Sequence, residues 1–251
     1  MILIKNNPSI DSTLLRDKLD SLSKEIGIKK WDLGATIGND ISVQIDKGKA
    51  KQLKASQKSS LTIRVWNRDK TIGITSTSDL SDKGLRKALH SALQASNFGN
   101  KNEVPDFSSM ATSPLPKLNR PLINPLGIKK LMTYLIEAEK KLLDSHKSIN
   151  SVPYNGFAES RISRVYINSD GGLRSIDCTQ ASLYLYAKAE EYGRKPRSSG
   201  SIKLGYGADK IDIDDCIKEA SSKTLSHLNY EPIKTGKYLI CFKPEAFLDL
   251  I

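Results

Sequence analysis

Three histidines, three cysteines, one glycine cluster and one tyrosine pair are the residues whose types could do chemistry. His90, His146 and His227 stand far apart in the chain. None has the His-Glu-x-x-His spacing that puts two imidazoles and a carboxylate on one helical face around zinc. Cys178, Cys216 and Cys241 include no Cys-x-x-Cys pair and are odd in number, which argues against a thiolate zinc site and against a disulfide framework. Cys178 falls in an expected strand and Cys216 on an apolar helical face, so both read as core thiols and not as nucleophiles. Gly200-x-x-x-x-Gly205-Tyr-Gly207 lacks the Lys and Ser/Thr of a phosphate loop and reads as a strand end and turn. No catalytic or metal-binding residue is therefore assigned to this chain. Tyr184 and Tyr186 remain: they share one face of a strand and Leu183 and Leu185 the other. Such a strand reads as covered on both sides, with the tyrosines in a core. The functional alternative is a peptide- or partner-binding surface, because tyrosines beside a sheet edge suit strand addition.

The elements that must position these residues follow from hydrophobic periodicity. Ile10, Leu14, Leu15, Leu19, Leu22 and Ile26 recur at three- and four-residue steps after Ser9, a cap candidate, with Gly27 as the stop. Short alternating strands are expected at 41–45, 50–55, 61–66 and 71–75. The turns Asp46-Lys-Gly48 and Asn67-Arg-Asp-Lys70 favour an antiparallel meander. A helix from near Ser81 presents Leu85, Ala88, Leu89, Ala92 and Leu93 and ends at Asn97-Phe-Gly99. Between Asn100 and Pro125 five prolines exclude a helix interior or a central strand.

The order then repeats. Asn124-Pro125 looks like an N-cap and first helical residue for an apolar stripe running from Ile128 to Leu143. Strands are expected at 161–167, 173–178, 182–187 and 200–204, with a turn at Asp170-Gly-Gly172, and a helix carrying Ile213, Cys216, Ile217, Ala220, Leu225 and Leu228 follows. The expected fold is α+β, in two related halves, each of helix, about four antiparallel strands and helix. The organisation is 1–99, a Pro-rich linker 100–124, a second half 125–236, and 237–251 as the start of a truncated C-terminal domain, where a strand at 238–242 leads into an uncapped apolar helix.

At 251 residues with 38% hydrophobic and 27% charged residues, the chain can bury a true core and lacks the signature of disorder. Residues 1–8 are too short an apolar stretch for a signal peptide, and no run of eighteen apolar residues occurs; a cytoplasmic protein with reduced thiols is expected. The net charge of +11 raises nucleic-acid binding, since surplus cations release counterions from phosphates. Its basic residues are scattered, with runs no longer than the pairs Lys29-Lys30, Lys129-Lys130 and Lys140-Lys141, which disfavours specific recognition.

Three stretches carry a family resemblance: Val65 to Ser81 with the helix after it, Val165-Tyr-Ile-Asn-Ser-Asp-Gly-Gly172, and Thr235 to Ala246. Together they resemble the N-terminal portion of the TldD/PmbA family, also called modulators of DNA gyrase, and the Ser76-Thr-Ser-Asp-Leu-Ser81 segment is closer to the PmbA branch. The resemblance implies a cytoplasmic, heterodimeric metallopeptidase. Its TldD-type subunit carries a His-Glu-x-x-x-His zinc helix, and its PmbA-type subunit lacks the metal ligands. No residue here matches that motif. The implied role is a scaffold and partner region that is not itself catalytic, with zinc in the TldD-type partner and unfolded or extended peptides as substrate. The alternatives are a basic nucleic-acid- or gyrase-associated module, or a plain oligomerisation domain.

Overall fold

The computed structural model describes residues 9–69, 71–99, 106–116, 120–248 and 250–251. Residues 1–8, the turn residue Lys70, residues 100–105 and 117–119 of the expected Pro-rich linker 100–124, and Asp249 lie outside the described residues.

Helix α1, Ser12–Ile26, starts two residues later than the Ser9 cap implies. The Asp11 carboxylate is the cap and accepts the Leu14 N–H at 2.9 Å, and Gly27 closes the helix at φ 82°. Three strands follow in a meander: β1 (Lys30–Asp46), β2 (Lys49–Trp66) and β3 (Ile72–Thr77). Lys47 and Gly48 both take positive φ, which makes the two-residue turn whose twist suits a hairpin. Asn67 closes the next turn by accepting the Asp69 and Thr71 N–H groups. Helix α2, Asp82–Ser96, is capped by Ser81 as its sequence implies.

The second half repeats this order with α3 (Ile128–Asp144), β4 (Ile149–Asn168), β5 (Leu173–Ala189), β6 (Arg197–Gly205) and α4 (Ile213–Ser226). Each half holds two long strands and a shorter third where about four short ones are expected, because 50–55 and 61–66 are one strand, as are 173–178 and 182–187. The polar stretches that look like breaks, such as Ser56-Gln-Lys-Ser-Ser60, are exposed strand. Asn124-Pro125 does not open α3. Gly127 stands at its cap, and the buried Glu159 carboxylate from β4 accepts the Leu126 and Gly127 N–H groups at 3.0 and 2.8 Å. A charge supplied from the sheet thus does the work of a local cap.

All six strands form one antiparallel sheet in the order β3-β2-β1-β4-β5-β6, so the halves meet through the β1–β4 pair, Asp32 opposite Asn168 to Val43 opposite Phe157. One core packs α1 and α2 on Trp31, Leu33, Ala35, Ile37, Leu61 and Ile63. The other packs α3 and α4 on Val43, Ile45, Phe157, Leu183 and Leu185. The β1 contributors to both cores are odd-numbered, so both cores lie on the same face of the sheet. All four long helices therefore cover one face; among the described residues the other carries no helix, and only the connection between α2 and α3 crosses it, at its Trp66 and Arg174 end.

Residues 238–242 form no strand. Tyr238, Leu239, Ile240 and Phe242 are exposed in a segment without regular structure that leads into the five-residue helix α5 (Pro244–Leu248). An edge of backbone donors and acceptors must face them before they can pair, and none does so among the described residues.

Candidate functional site

The bare sheet face is the surface with the most unassigned chemistry. It is built from the even-numbered residues of β1, β4 and β5 and their register partners. One row across the sheet is Ser42, Ala158, Ser182 and Leu204; the next is Gly156, Tyr184 and Ile202, which Gln44 of β1 joins through its hydrogen bond to Tyr184. Leu204 is 78% exposed and Ile202 56%, values that exclude any covering layer there. The short side chains of Ser42, Ala158, Ser160 and Ser182 leave a groove of about 660 Å³, bounded by Asp40, Leu204 and Tyr206. Backbone lies close to the floor of such a trough, which suits a ligand of low profile.

Tyr184 and Tyr186 are on this face and half-buried. The expectation that their strand is covered on both sides is corrected: Leu183 and Leu185 are fully buried against the helices, and the tyrosines lie flat on the opposite surface. Glycine makes this possible. A Cβ at Gly156 would fall 2.5 Å from the Tyr184 ring, and one at Gly200 would fall 2.6 Å from Tyr186 Cγ; each ring occupies the space a side chain would fill. Tyr184 Oη also accepts a hydrogen bond of 2.7 Å from Gln44 Nε2, two strands away. The structure therefore brings the two sequence-selected tyrosines together and places Tyr184 one row and Tyr186 two rows from the groove.

At the other end of the same face Asp32, 2% exposed, accepts from Arg64 Nε at 2.9 Å and from its Nη2, one edge of the guanidinium, and from Tyr166 Oη at 3.1 Å. The Asp32 carboxylate raises the Arg64 pKa further, and burial raises that of Tyr166. Arg64 and Lys30 lie against Trp66, which meets Phe107 edge-on at 5.0 Å, so the interhelical connection is anchored here. Arg174 holds the next part of that connection by donating to the Met110 and Ser113 carbonyls. Reasoning from the sequence missed this cluster. The alternation of Asp32 with Trp31 and Leu33 was a possible signal, hidden because β1 was expected to start only at Ile41.

The histidines do not converge. Among the described residues no three His, Cys, Asp or Glu side chains are grouped so as to hold a metal ion. His146 accepts the Ser148 N–H through Nδ1 and His227 caps α4. The residues present do not fit the zinc that the resemblance implies for its catalytic subunit. Cys216 is buried, its pKa raised by desolvation, and Cys178 is buried in β5, as their sequence settings imply; Cys241 is exposed. Lys203, Glu219 and Lys223 form an ion-pair relay between β6 and α4 that lowers the Glu219 pKa to about 2. It belongs to the helix-covered side and holds α4 on the sheet.

A duplicated helix, three-strand and helix unit, fused through its first strands into one sheet with a single bare face, defines the architecture. Sequence models identify its two halves separately: the PmbA/TldA metallopeptidase domain 1 matches residues 31–96, and the PmbA/TldA metallopeptidase central domain matches residues 121–228. The chain belongs to the TldD/PmbA metallopeptidase family. Solved structures share the fold. A candidate modulator of DNA gyrase from Bacteroides thetaiotaomicron aligns with a TM-score of 0.76 at 15% identity over 95% of this chain and 53% of its own. A candidate modulator of a DNA gyrase from Thermotoga maritima gives 0.74 at 18% identity over 89% and 50%. TldE from Thermococcus kodakarensis gives 0.65 at 15% identity over 83% and 47%. The chain thus spans about half the length of these structures. No curated protein matches it. Among the described residues no helix is long and apolar enough to cross a membrane.

Proposed function

We propose that this chain is the scaffold and partner-contact region of a PmbA-like subunit in a cytoplasmic two-subunit metallopeptidase, whose TldD-type partner holds the zinc and whose substrates are unfolded or extended peptides. The bare sheet face is the observation that carries this reading. Six strands with helices on one side present a groove, a tyrosine pair and exposed Ile202 and Leu204 to whatever lies opposite, and a scaffold needs such a surface while a self-sufficient catalyst needs gathered ligands or nucleophiles. Family membership supports the metallopeptidase context, and the likeness to TldE supports the partnered form. In this reading Tyr184 and Tyr186 contact the peptide or the partner, with rings already ordered by Gly156 and Gly200, so little side-chain entropy is lost on binding.

The test mixes the full-length protein with its TldD-type partner and follows cleavage of a labelled unstructured peptide. Proteolysis is expected only from the mixture, and replacing both tyrosines by serine is expected to weaken peptide capture while circular dichroism stays unchanged. Equal cleavage by the partner alone would refute the subunit role. Unfolding of the double variant, together with unaltered capture by Tyr184→Phe/Tyr186→Phe, would remove the tyrosines from the site.

A further inference from the structure

We propose that the free edge of β2, from Lys49 to Ser60, is a docking strand for an extended acidic peptide segment. This goes beyond the peptidase reading, because it is a binding activity of this chain alone.

β3 pairs with β2 only from Leu61 to Trp66, so the preceding twelve residues have β1 on one side and no strand on the other among the described residues. Every second residue of such an edge directs its N–H and C=O outward, unpaired. The side chains of 49–58 are exposed on both faces of the sheet. Long open edges are usually blunted by proline, by a cover or by charge. This one, Lys-Ala-Lys-Gln-Leu-Lys-Ala-Ser-Gln-Lys-Ser-Ser, has no proline, is tied down among the described residues only at Ser59, whose Oγ donates to the Ser78 carbonyl at 2.8 Å, and its only charges are four lysines.

The register fixes where those lysines sit. Asp46 opposes Lys49, Ser42 opposes Lys54 and Gly38 opposes Lys58, all on the bare face, while Lys51 is the extra residue of a bulge between Gln52 and Ala50. Lys58 reaches Asp40 at 3.4 Å; Lys49, Lys51 and Lys54 have no ion-pair partner among the described residues. An incoming strand would place side chains directly beside Lys54 and Lys58, where like charges repel and carboxylates attract. The lysine row therefore rejects a second copy of the same edge and selects an acidic segment. Nucleic acid is the poorer occupant. Phosphates offer acceptors but no donors for the outward carbonyls, and the segment holds no aromatic side chain on which a base could stack.

The test titrates the 251-residue chain into a fluorescent twelve-residue peptide in which glutamate alternates with threonine and valine, at about 0.15 M salt, reading anisotropy. Binding is expected, with affinity about ten-fold lower for Lys54→Glu/Lys58→Glu. A change under about two-fold is expected for Lys129→Glu/Lys130→Glu, which alters net charge equally at exposed positions on α3. The same peptide N-methylated at alternate amides is expected not to bind, because the pairing needs its backbone donors. Lys54→Ala/Lys58→Ala serves if the charge reversal perturbs the fold. Absence of binding, equal binding of the N-methylated peptide, or equal losses in the two charge variants would overturn the proposal. Tighter, edge-dependent binding of a single-stranded oligonucleotide would also overturn it and assign the edge to nucleic acid.

Discussion

Glu139 offers the most direct perturbation of the β1–β2 hairpin, which carries the free edge. It projects from α3, is 4% exposed, and accepts the N–H groups of Lys47 and Gly48 at 3.2 and 2.6 Å. These are the two turn residues held at positive φ. A hydrogen bond to a charged acceptor contributes about 1.5–3 kcal/mol, and more is lost when a donor is left dry. Here the turn is exposed, so water recovers part of the loss, and Glu139→Ala is expected to lower the unfolding free energy by about 2–3 kcal/mol in total. Glu139→Gln keeps the shape but sets an NH₂ against one N–H, for an expected loss of about 1.5–2 kcal/mol. For a chain of this size the alanine variant should melt about 4–12 °C lower. Urea unfolding followed by circular dichroism measures both, with a lower midpoint and an unchanged slope. Amide exchange should also quicken across 43–52, where the hairpin is held. Glu137, exposed on the same helix, is the control, expected within about 0.5 kcal/mol of the parent. If Glu139→Ala falls in that range too, the carboxylate does not anchor the hairpin.

The remaining expectations concern charge and metal. Glu219 is held at a pKa of about 2 by Lys203, then Lys223 and Ser201, below its ordinary 4.5. Its stabilisation is therefore complete above about pH 4.5 and fades as pH falls toward 2; with a third of the side chain in water it amounts to about 1 kcal/mol. Glu219→Gln should remove that slope from stability measured across the same window, and an unchanged slope would count against the relay. Elemental analysis of the purified chain should find no stoichiometric zinc; one tightly held ion lost on mutating His90, His146 or His227 would reverse the assignment. Gel shifts across a salt series should show only weak, sequence-independent DNA binding that disappears as salt rises; tight binding of one sequence at physiological salt would favour the nucleic-acid class.

The helices were legible because their signals are local. Ser81 and Gly27 act at their own helix ends, and the stripes from Leu85 to Leu93 and Ile128 to Leu143 meet the sheet as their spacing implies. Strand extents were not legible, because the bare-face positions of β1 include Gly34 and Gly38, residues depleted in strands, which masked the alternation of Leu33, Ala35 and Ile37 toward the helices. The cap of α3 was misplaced for a related reason, since Glu159 lies 32 residues from Gly127 in sequence. The tyrosine pair was visible as a pair, but its face was not, because strict alternation of Tyr and Leu describes equally a strand buried on both sides and one buried on the leucine side.

The one-sided cover follows from how the halves join. Each half is a meander that needs helices on only one face, and pairing β1 with β4 antiparallel sets the two meanders edge to edge with their apolar faces turned the same way. Joining by the sheet edge removes two edges that would otherwise be open and leaves both bare faces continuous. The halves then differ in their outer strands. β6 pairs with β5 from Ala181 to Ala189, and the free 173–180 stretch is held by the interhelical connection through Arg174 and Thr179. On the opposite side the equivalent stretch of β2 is held only at Ser59, by the Ser78 carbonyl; residues 49–58 have no such strap among the described residues, and it is there that the lysines fall. The symmetry supplies two matching edges; the connection closes one of them, and charge alone guards the other.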